Sequence, residues 1–259
     1  MSAGLAFDRM AEDYDRTFTD TPIGRCLRNA VWRRLDAVYP QGASVLEVNC
    51  GTGEDAIHLA SRGVRVLATD AAPAMVEVAR RKVAAADLEG RVRIEQVAIE
   101  DVGPHLGTFD GVVSNFGGLN CVADLRGAAV ALARCVRPGG TAVLCLMGPA
   151  VPWEWAWYLA RGEPARAFRR FRRGGVEWRG LTVRYPSIAW LRRAFAPEFR
   201  MARVAALGAL VPPAYTAAWA ARHPRLLAAL ERTERAAETV FPLPRLSDHY
   251  LAELRRSDQ

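Results

Sequence analysis

The chain has 259 residues, of which 51% are hydrophobic, and its formal net charge is +7. This length accommodates one large core with an appended cap, but leaves little room for two independent domains. The longest apolar runs fall far short of the about 20 residues that a membrane-spanning helix requires, and Asp8, Glu12 and Asp13 disfavour an N-terminal signal peptide. We therefore expect a cytoplasmic protein with no membrane partner.

The cysteines and the basic residues narrow the class of protein further. The five cysteines are scattered without the paired spacing of metal ligands, so we expect neither disulfides nor a bound metal. Because Lys82 is the single lysine and the arginines are spread along the chain, the positive charge is weak evidence for a nucleic-acid partner. Only the stretch from Arg161 to Arg173 is dense. It is either a solvated helix face or a contact surface for an anionic substrate or carrier, and the sequence leaves both readings open.

The first half of the chain alternates between strand and helix patterns. Apolar residues at helical spacing predict an N-terminal helix over 22–38. The strands predicted after it are 44–48, 64–69, 92–97, 111–114 and 141–147, and the helices predicted between them are 54–61, 73–85 and 123–135. This alternation predicts an α/β fold with a doubly wound, parallel sheet.

The alternation breaks after the strand at 141–147. An aromatic and arginine-rich insert follows from Pro149 to Ser187, with short strands predicted at 176–178 and 181–185. The elements predicted after the insert are a helix at 188–195, a strand at 201–207, helices within 214–239 and a last strand at 249–254. We therefore divide the chain into an N-terminal helix and cofactor-binding core (1–149), an inserted substrate cap (150–185) and the remainder of the core with late helices (186–259). We expect the cap to be mobile and its aromatic side chains to wall the substrate pocket.

A glycine loop between the first predicted strand and helix marks a binding site. We expect Gly51 and Gly53 to allow a ligand closer to the backbone than a Cβ atom would permit. Asp70, at the end of the second strand, can accept hydrogen bonds from both hydroxyls of a ribose. The competing interpretation of Asp70 is a simple cap for the helix that begins at Pro73.

The acidic residues around this loop distinguish between nucleotide ligands. Glu54 and Asp55 open the helix after the loop and would oppose a pyrophosphate at the helix N-terminus, but not a cationic ligand without phosphate. Glu47 can pair with an ammonium group, directly or through water, although it could instead be satisfied by loop amides. These residues favour a ligand with a ribose and positive charge.

In this respect the chain resembles the class I S-adenosylmethionine-dependent methyltransferases, most closely the bacterial group with a generic methyltransferase domain. Four motifs in order carry the resemblance over residues 5–147: the loop at 47–53, Asp70, the strand from Phe109 to Asn115, and the turn from Arg137 to Gly140. The resemblance implies a mostly parallel seven-stranded sheet, S-adenosyl-L-methionine as cofactor and S-adenosyl-L-homocysteine as product.

The same resemblance implies which residues bind the cofactor. The expected set is Tyr14, Glu47, Asn49, Gly51, Thr52, Gly53, Asp70, Ala71, Met75, Ile99, Glu100, Asn115 and Phe116. The chain departs from the family pattern at Asn49, where many members have glycine. It departs again at Ala98, where many have an aspartate near the adenine, so we assign the adenine contacts to Ile99 and Glu100.

The segment from Ser114 to Asn120 lacks the Asn/Asp-Pro-Pro-aromatic run of the enzymes that methylate nucleobase amines. We therefore expect a small-molecule substrate, aromatic or anionic, methylated on O, N or C by a monomer or homodimer without a nucleic-acid partner. A methyl sulfonium is already activated, so we expect positioning and desolvation to dominate the rate enhancement. If a base is needed, the polar candidates are Tyr14, His105 and Asn120. The alternative functions are a cofactor-binding protein without methyl transfer, as a cyclase or regulator, and a nicotinamide-dependent oxidoreductase.

Overall fold

The computed structural model describes residues 3–258. Residues 1 and 2 of the segment 1–149, and residue 259 of the segment 186–259, lie outside the described range. Two short helices, α1 (Ala3–Asp8) and α2 (Ala11–Tyr14), precede the long helix α3 (Pro22–Val38). The hydroxyl of Thr21 accepts a hydrogen bond from the Gly24 amide at 3.0 Å, so it caps α3 at its first turn.

The core is a seven-stranded sheet. Its strands are β1 (Ser44–Val48), β2 (Arg65–Asp70), β3 (Val92–Gln96), β4 (Phe109–Ser114), β5 (Val136–Met147), β8 (Phe199–Leu207) and β9 (His249–Arg256). They lie in the order β3-β2-β1-β4-β5-β9-β8, and β9 runs antiparallel to both of its neighbours. The chain crosses over between β1 and β4, so the carboxyl ends of these central strands border the crevice in which α/β sheets bind ligands.

Helices cover both faces of the sheet because successive strand side chains point to opposite sides. Val45 of β1 packs into the core on the face of α3, α4 (Glu54–Ser61) and α5 (Pro73–Ala85). The next residue, Leu46, packs into the core on the face of α6 (Leu125–Cys135) and α9 (Ile188–Phe195). Together with the mostly parallel sheet, this confirms the expected α/β fold.

The insert after β5 lies at the carboxyl edge of the sheet. It contains α7 (Pro152–Leu159), α8 (Pro164–Ala167) and a hairpin of β6 (Val176–Trp178) and β7 (Leu181–Val183). The backbone amide of Arg184, just after the hairpin, donates to the carbonyl of Asn120 at 2.8 Å. The cap is therefore tied to the loop that follows β4.

The C-terminal part of the core contains α10 (Ala217–Arg222) and α11 (Pro224–Ala237) before β9. The two helices separate at His223 because a residue that precedes proline is disfavoured in the helical region. Strand β5 begins at Val136, earlier than the predicted Thr141, because Val136 pairs with Phe109 across a register shift. Between residues 3 and 258, no helix is long and apolar enough to cross a membrane.

Candidate active site

A cavity, here the cofactor cavity, opens at the carboxyl ends of β1, β2 and β4. The wall includes ten of the thirteen residues expected to bind the cofactor: Tyr14, Asn49, Gly51, Asp70, Ala71, Met75, Ile99, Glu100, Asn115 and Phe116. Phe7, Gly118, Cys121 and Val122 also line it, and sequence reasoning missed all four. The adenine assignment to Ile99 and Glu100 is compatible with their position in this wall.

Asp70 is held by the loop rather than by the helix that follows it. One carboxylate oxygen, Oδ2, accepts from the Gly51 amide at 2.9 Å, and Oδ1 accepts from the Ala72 amide at 2.9 Å. The amide of Ala74, in the first turn of α5, instead donates to Asp8 at 2.9 Å. Burial raises the pKa of Asp70, although the amide bonds oppose this shift. Asp70 accepts from no amide within α5 itself, so a simple helix cap does not account for its bond to Gly51, and the carboxylate retains lone pairs for a ribose hydroxyl.

Glycine occupies positions 51 and 53 of the loop for different structural reasons. Gly51 has φ +55°, and a Cβ atom there would meet no protein atom within 4 Å, as expected for a residue facing a cavity. Gly53 has φ +79°, and its Cβ would lie 3.0 Å from the Cβ of Ala79 in α5. Close packing of α4 against α5, rather than approach of a ligand, therefore requires glycine at position 53. The expectation from the sequence that Gly53 allows close approach of a ligand was therefore wrong.

Asn49 replaces the family glycine in a left-handed conformation, with φ +57°. Asparagine tolerates this region better than most residues. Its side chain fits because Gly118 faces it: a Cβ atom at Gly118 would lie 2.4 Å from the Cβ of Asn49. The departure from the family pattern is thus accommodated by a glycine in the loop after β4.

Glu47, Thr52 and Gly53 lie behind the loop rather than in the cavity wall. Glu47 is 1% exposed, and burial raises the pKa of its carboxyl well above the ordinary range. Its Oε2 atom has no hydrogen-bond partner among residues 3–258. Such an orphaned oxygen costs free energy unless a partner such as a water molecule satisfies it, so Glu47 does not meet a ligand in the cavity directly. Thr52 donates to Asp15 at 2.7 Å and ties the loop to the segment after α2.

The two carboxylates at the start of α4 are already paired with cations. Glu54 forms an ion pair with Lys82. Asp55 is 3% exposed and contacts Arg28 at 2.9 Å. The charge argument against a pyrophosphate therefore cannot rest on these two residues. It rests instead on the wall of the cofactor cavity, whose lining in the described chain includes Asp70 and Glu100 but neither lysine nor arginine.

The structure separates the three candidate bases. Tyr14 lines the cofactor cavity, and burial raises its pKa to about 12, so the phenol stays protonated at neutral pH. Asn120 is fully buried, and its amide bonds the backbone at Met147 N (2.9 Å) and Met147 O (3.0 Å) and also at Arg184 O. These bonds attach the cap to the core and leave the amide no role in proton transfer.

His105 lies apart from the other candidates. It is exposed, and the adjacent Leu106 borders a surface depression with Ser44 and Arg65, the first residues of β1 and β2. His105 is therefore near the amino ends of the strands, opposite the cofactor cavity.

The N-terminal helices cover the cofactor cavity through Phe7 and Tyr14. The cavity is narrow, about 90 Å³, whereas pockets for small ligands usually enclose about 300–1,000 Å³. The covering segment is held to the core by polar contacts, such as those of Asp8 with Ala74 and Asp15 with Lys82. We therefore expect this segment to move outward when a nucleoside-sized ligand enters.

A second cavity, the cap cavity, lies between the core and the insert and encloses about 680 Å³. It shares Phe7, Phe116 and Cys121 with the cofactor cavity, so the two adjoin. The cap contributes Tyr158, Trp178 and Tyr185 to its wall. The other cap tryptophans, Trp153, Trp155 and Trp157, lie elsewhere.

The arginine-rich segment faces the cap cavity as well as solvent. Arg166, Arg169, Arg170 and Arg172 all line the cavity. Arg170 is largely buried and contacts both Glu154 and Asp248 at 2.6 Å. The solvated-face interpretation is therefore incomplete.

The seven-stranded sheet has the fold of the class I S-adenosylmethionine-dependent methyltransferases, and Asp70 lies at the strand end where the resemblance implies a ribose contact. Residues 45–140 match the family described as "Methyltransferase domain". A methyltransferase domain therefore spans residues 45–140, which confirms the resemblance over this part of the chain and the expected cofactor class.

Relatives of similar sequence are methyltransferases, and solved structures share the fold. The tRNA 5-carboxymethoxyuridine methyltransferase of Escherichia coli K12 is 32% identical over 54% of this chain and 55% of its own length. The demethylmenaquinone methyltransferase of Clavibacter sepedonicus is 35% identical over 56% of this chain and 58% of its own length. The chain therefore spans little more than half the length of these relatives. The solved DhpI complex with S-adenosylhomocysteine has the same fold, with a TM-score of 0.61, 21% identity and full coverage of both chains.

Proposed function

We propose that this protein transfers the methyl group of S-adenosylmethionine to an anionic, aromatic small molecule held in the cap cavity. The observation that carries the proposal is the junction at Phe7, Phe116 and Cys121, where the cap cavity adjoins the cavity that contains Asp70. When bound, S-adenosylmethionine supplies an activated methyl group on a sulfonium. The residues of the chain have to bind, align and dehydrate the two reactants.

The cofactor cavity offers partners for the ribose and the adenine. Asp70 lies in its wall with both carboxylate oxygens held by backbone amides, oriented to accept from the ribose hydroxyls, whereas Glu47 lies behind the loop and reaches an ammonium group only through a bound water. Met75 and Ile99 supply apolar wall for the adenine. The negative charge of Asp70 and Glu100 suits a cationic ligand without phosphate.

The junction residues determine the transfer geometry. Phe116 contacts Phe18 edge-on, with ring centroids 5.0 Å apart, and packs edge-on against His249 at 5.7 Å. The guanidinium of Arg28 lies over the Phe116 ring, 4.8 Å from its centroid. A ring fixed by these contacts excludes water from the space where the reactants meet, which favours methyl transfer by alignment and desolvation.

The small-molecule substrate rests on the size and lining of the cap cavity. Its volume of about 680 Å³ lies within the about 300–1,000 Å³ typical of small-ligand pockets. Arginine and aromatic side chains share its wall, which suits an anion with a flat body. The tRNA relative supplies a competing substrate class, which the experiment has to include.

The test is transfer of labelled methyl groups by the purified protein. We expect label, and a mass gain of one methyl group, in members of a panel of anionic aromatic metabolites, and none in total tRNA. A control reaction contains NADH in place of S-adenosylmethionine and should yield no product. Label in tRNA alone would refute the small-molecule substrate, and absence of S-adenosylmethionine binding would refute the whole proposal.

A further inference from the structure

The cap cavity has an unusual chemical composition for a site that would remove a proton. Four arginines line it, but among its wall residues within 3–258 there is no aspartate, glutamate, histidine or lysine. A general base has to reach the proton that it abstracts, directly or through one water. The wall offers donors and positive charge instead.

The carboxylates that neutralise these arginines lie behind the wall. Glu154 of α7 is 1% exposed and pairs with Arg169 and Arg170, and Asp248 before β9 is 8% exposed and pairs with Arg170. A bound molecule thus meets the guanidinium groups rather than the carboxylates.

The two arginines nearer solvent differ in their pairing. Arg166 pairs with Glu163 at 2.6 Å, with its side chain 62% exposed. Arg172 is exposed and forms no ion pair with any described residue. Arg172 is therefore the cavity cation most available to a ligand anion.

The remaining titratable groups around the cavity are Tyr158 of α7, Tyr185 after β7, Cys121 after β4 and His249 of β9. Burial raises the pKa of Tyr185 and raises the pKa of Cys121 to about 11, so both stay neutral at physiological pH. His249 lies behind Phe116, is 6% exposed and has Asp248 3.2 Å away. It is not part of the cavity wall.

We propose that the cap cavity selects acceptors that react as anions, and that its arginines, Arg172 foremost, favour the ionised form in place of a general base. The substrate class is therefore a phenol or enol whose acidic hydroxyl loses its proton to solvent. This proposal rests on the proposed methyl transfer. The acceptor oxygen, or the conjugated carbon of the enolate, then donates its electron pair to the methyl carbon. The bond from that carbon to sulfur breaks, sulfur keeps the pair, and neutral S-adenosylhomocysteine leaves.

The test uses 4-nitrophenol as the probe, because its phenolate absorbs at a longer wavelength than its neutral form. The probe is titrated with pH in the presence of the full chain and S-adenosylhomocysteine. Since a nearby opposite charge typically shifts a pKa by about 1–3 units, we expect the bound probe to ionise at least about one unit lower than the free probe. Arg172→Gln should remove most of this shift. Arg173→Gln, which removes the same charge from an exposed neighbour outside the wall, should retain it.

A second readout is the pH profile of methyl transfer to phenols of graded acidity. We expect the midpoint of log(kcat/KM) to follow the pKa of each phenol. The proposal is overturned if 4-nitrophenol binds as the neutral form or fails to bind at millimolar concentration. It is also overturned if Arg172→Gln and Arg173→Gln change the pKa shift of the bound probe equally, or if the pH profile has the same midpoint for every phenol. Calorimetry with S-adenosylhomocysteine separates the two proposals. Failure of the unmodified protein to bind this product refutes methyl transfer, whereas the pKa shift of the probe reports only on the cap cavity.

Discussion

Replacing Asp55 with alanine should destabilise the protein strongly, because it leaves a buried guanidinium without its counter-ion. Asp55 accepts from Trp32 Nε1 at 2.6 Å and Asn115 Nδ2 at 2.8 Å, in addition to its contact with Arg28. The side chain of Arg28 is only 7% exposed. Removal of one partner of a buried ion pair typically costs about 3–5 kcal/mol.

The matched control is Glu54→Ala, one residue earlier on α4. Glu54 also pairs with a cation, Lys82, but its side chain is 24% exposed. We expect a loss of at most about 1 kcal/mol there, because partly exposed ion pairs are screened by solvent. The double variant Arg28→Met, Asp55→Leu should recover part of the Asp55→Ala loss, since it leaves no lone buried charge.

Urea unfolding followed by circular dichroism measures these differences. Binding of S-adenosylhomocysteine should also weaken in Asp55→Ala, because Asn115 lines the cofactor cavity. If Asp55→Ala and Glu54→Ala lowered the free energy of unfolding equally, the interpretation of Asp55 as the centre of a buried network would be wrong.

Three further predictions concern the loops and the covering segments. Gly118→Ala should weaken S-adenosylhomocysteine binding because its Cβ would collide with Asn49, and adding Asn49→Gly should restore affinity; failure of the rescue would refute the steric explanation. Residues 3–21 should exchange amide hydrogens faster when S-adenosylhomocysteine is bound, because the segment has to move outward from its contacts with the core, and unchanged exchange would argue against a movable cover. Asn120→Ala should accelerate exchange in residues 176–185 more than in β1, since the amide joins the cap to β5; equal protection with and without it would contradict that role.

The parts of the chain with strong local signals were predictable from sequence. The bounds of α4 and α5 agree to the residue because Gly53 precedes one and Pro73 begins the other. The glycine loop and Asp70 identified the cofactor cavity because both lie where parallel strands end. Such motifs specify the backbone directly.

Contacts that depend on distant segments were not predictable. Phe7 and Gly118 line the cofactor cavity because the N-terminal helix folds across the strand ends and the loop after β4 packs on Asn49. No periodicity encodes either contact. His105 is a different case: it precedes β4, and a residue just before a parallel strand lies at the amino edge of the sheet, away from the ligand crevice, so its position was predictable.

The roles of charged residues were the hardest features to predict from the sequence. A run of arginines gives no information about which of them meet buried carboxylates, so the pairing of Arg170 with Glu154 and Asp248 appears only in three dimensions. Asp55 is a second example, because the sequence analysis treated its charge as available to a ligand whereas the carboxylate is paired with Arg28. Charge patterns predict function only after their partners are placed.

The most direct test of the central claim is calorimetric titration with S-adenosylhomocysteine of the unmodified protein, Asp70→Ala and Asp101→Ala. Asp101 is an exposed carboxylate outside the cofactor cavity and serves as the control. Loss of charge-assisted ribose bonds should cost Asp70→Ala about 2–3 kcal/mol, or about 30- to 150-fold in affinity, while Asp101→Ala binds normally. Equal affinity in all three proteins, or no binding to the unmodified one, would contradict the assignment of this cavity to the cofactor.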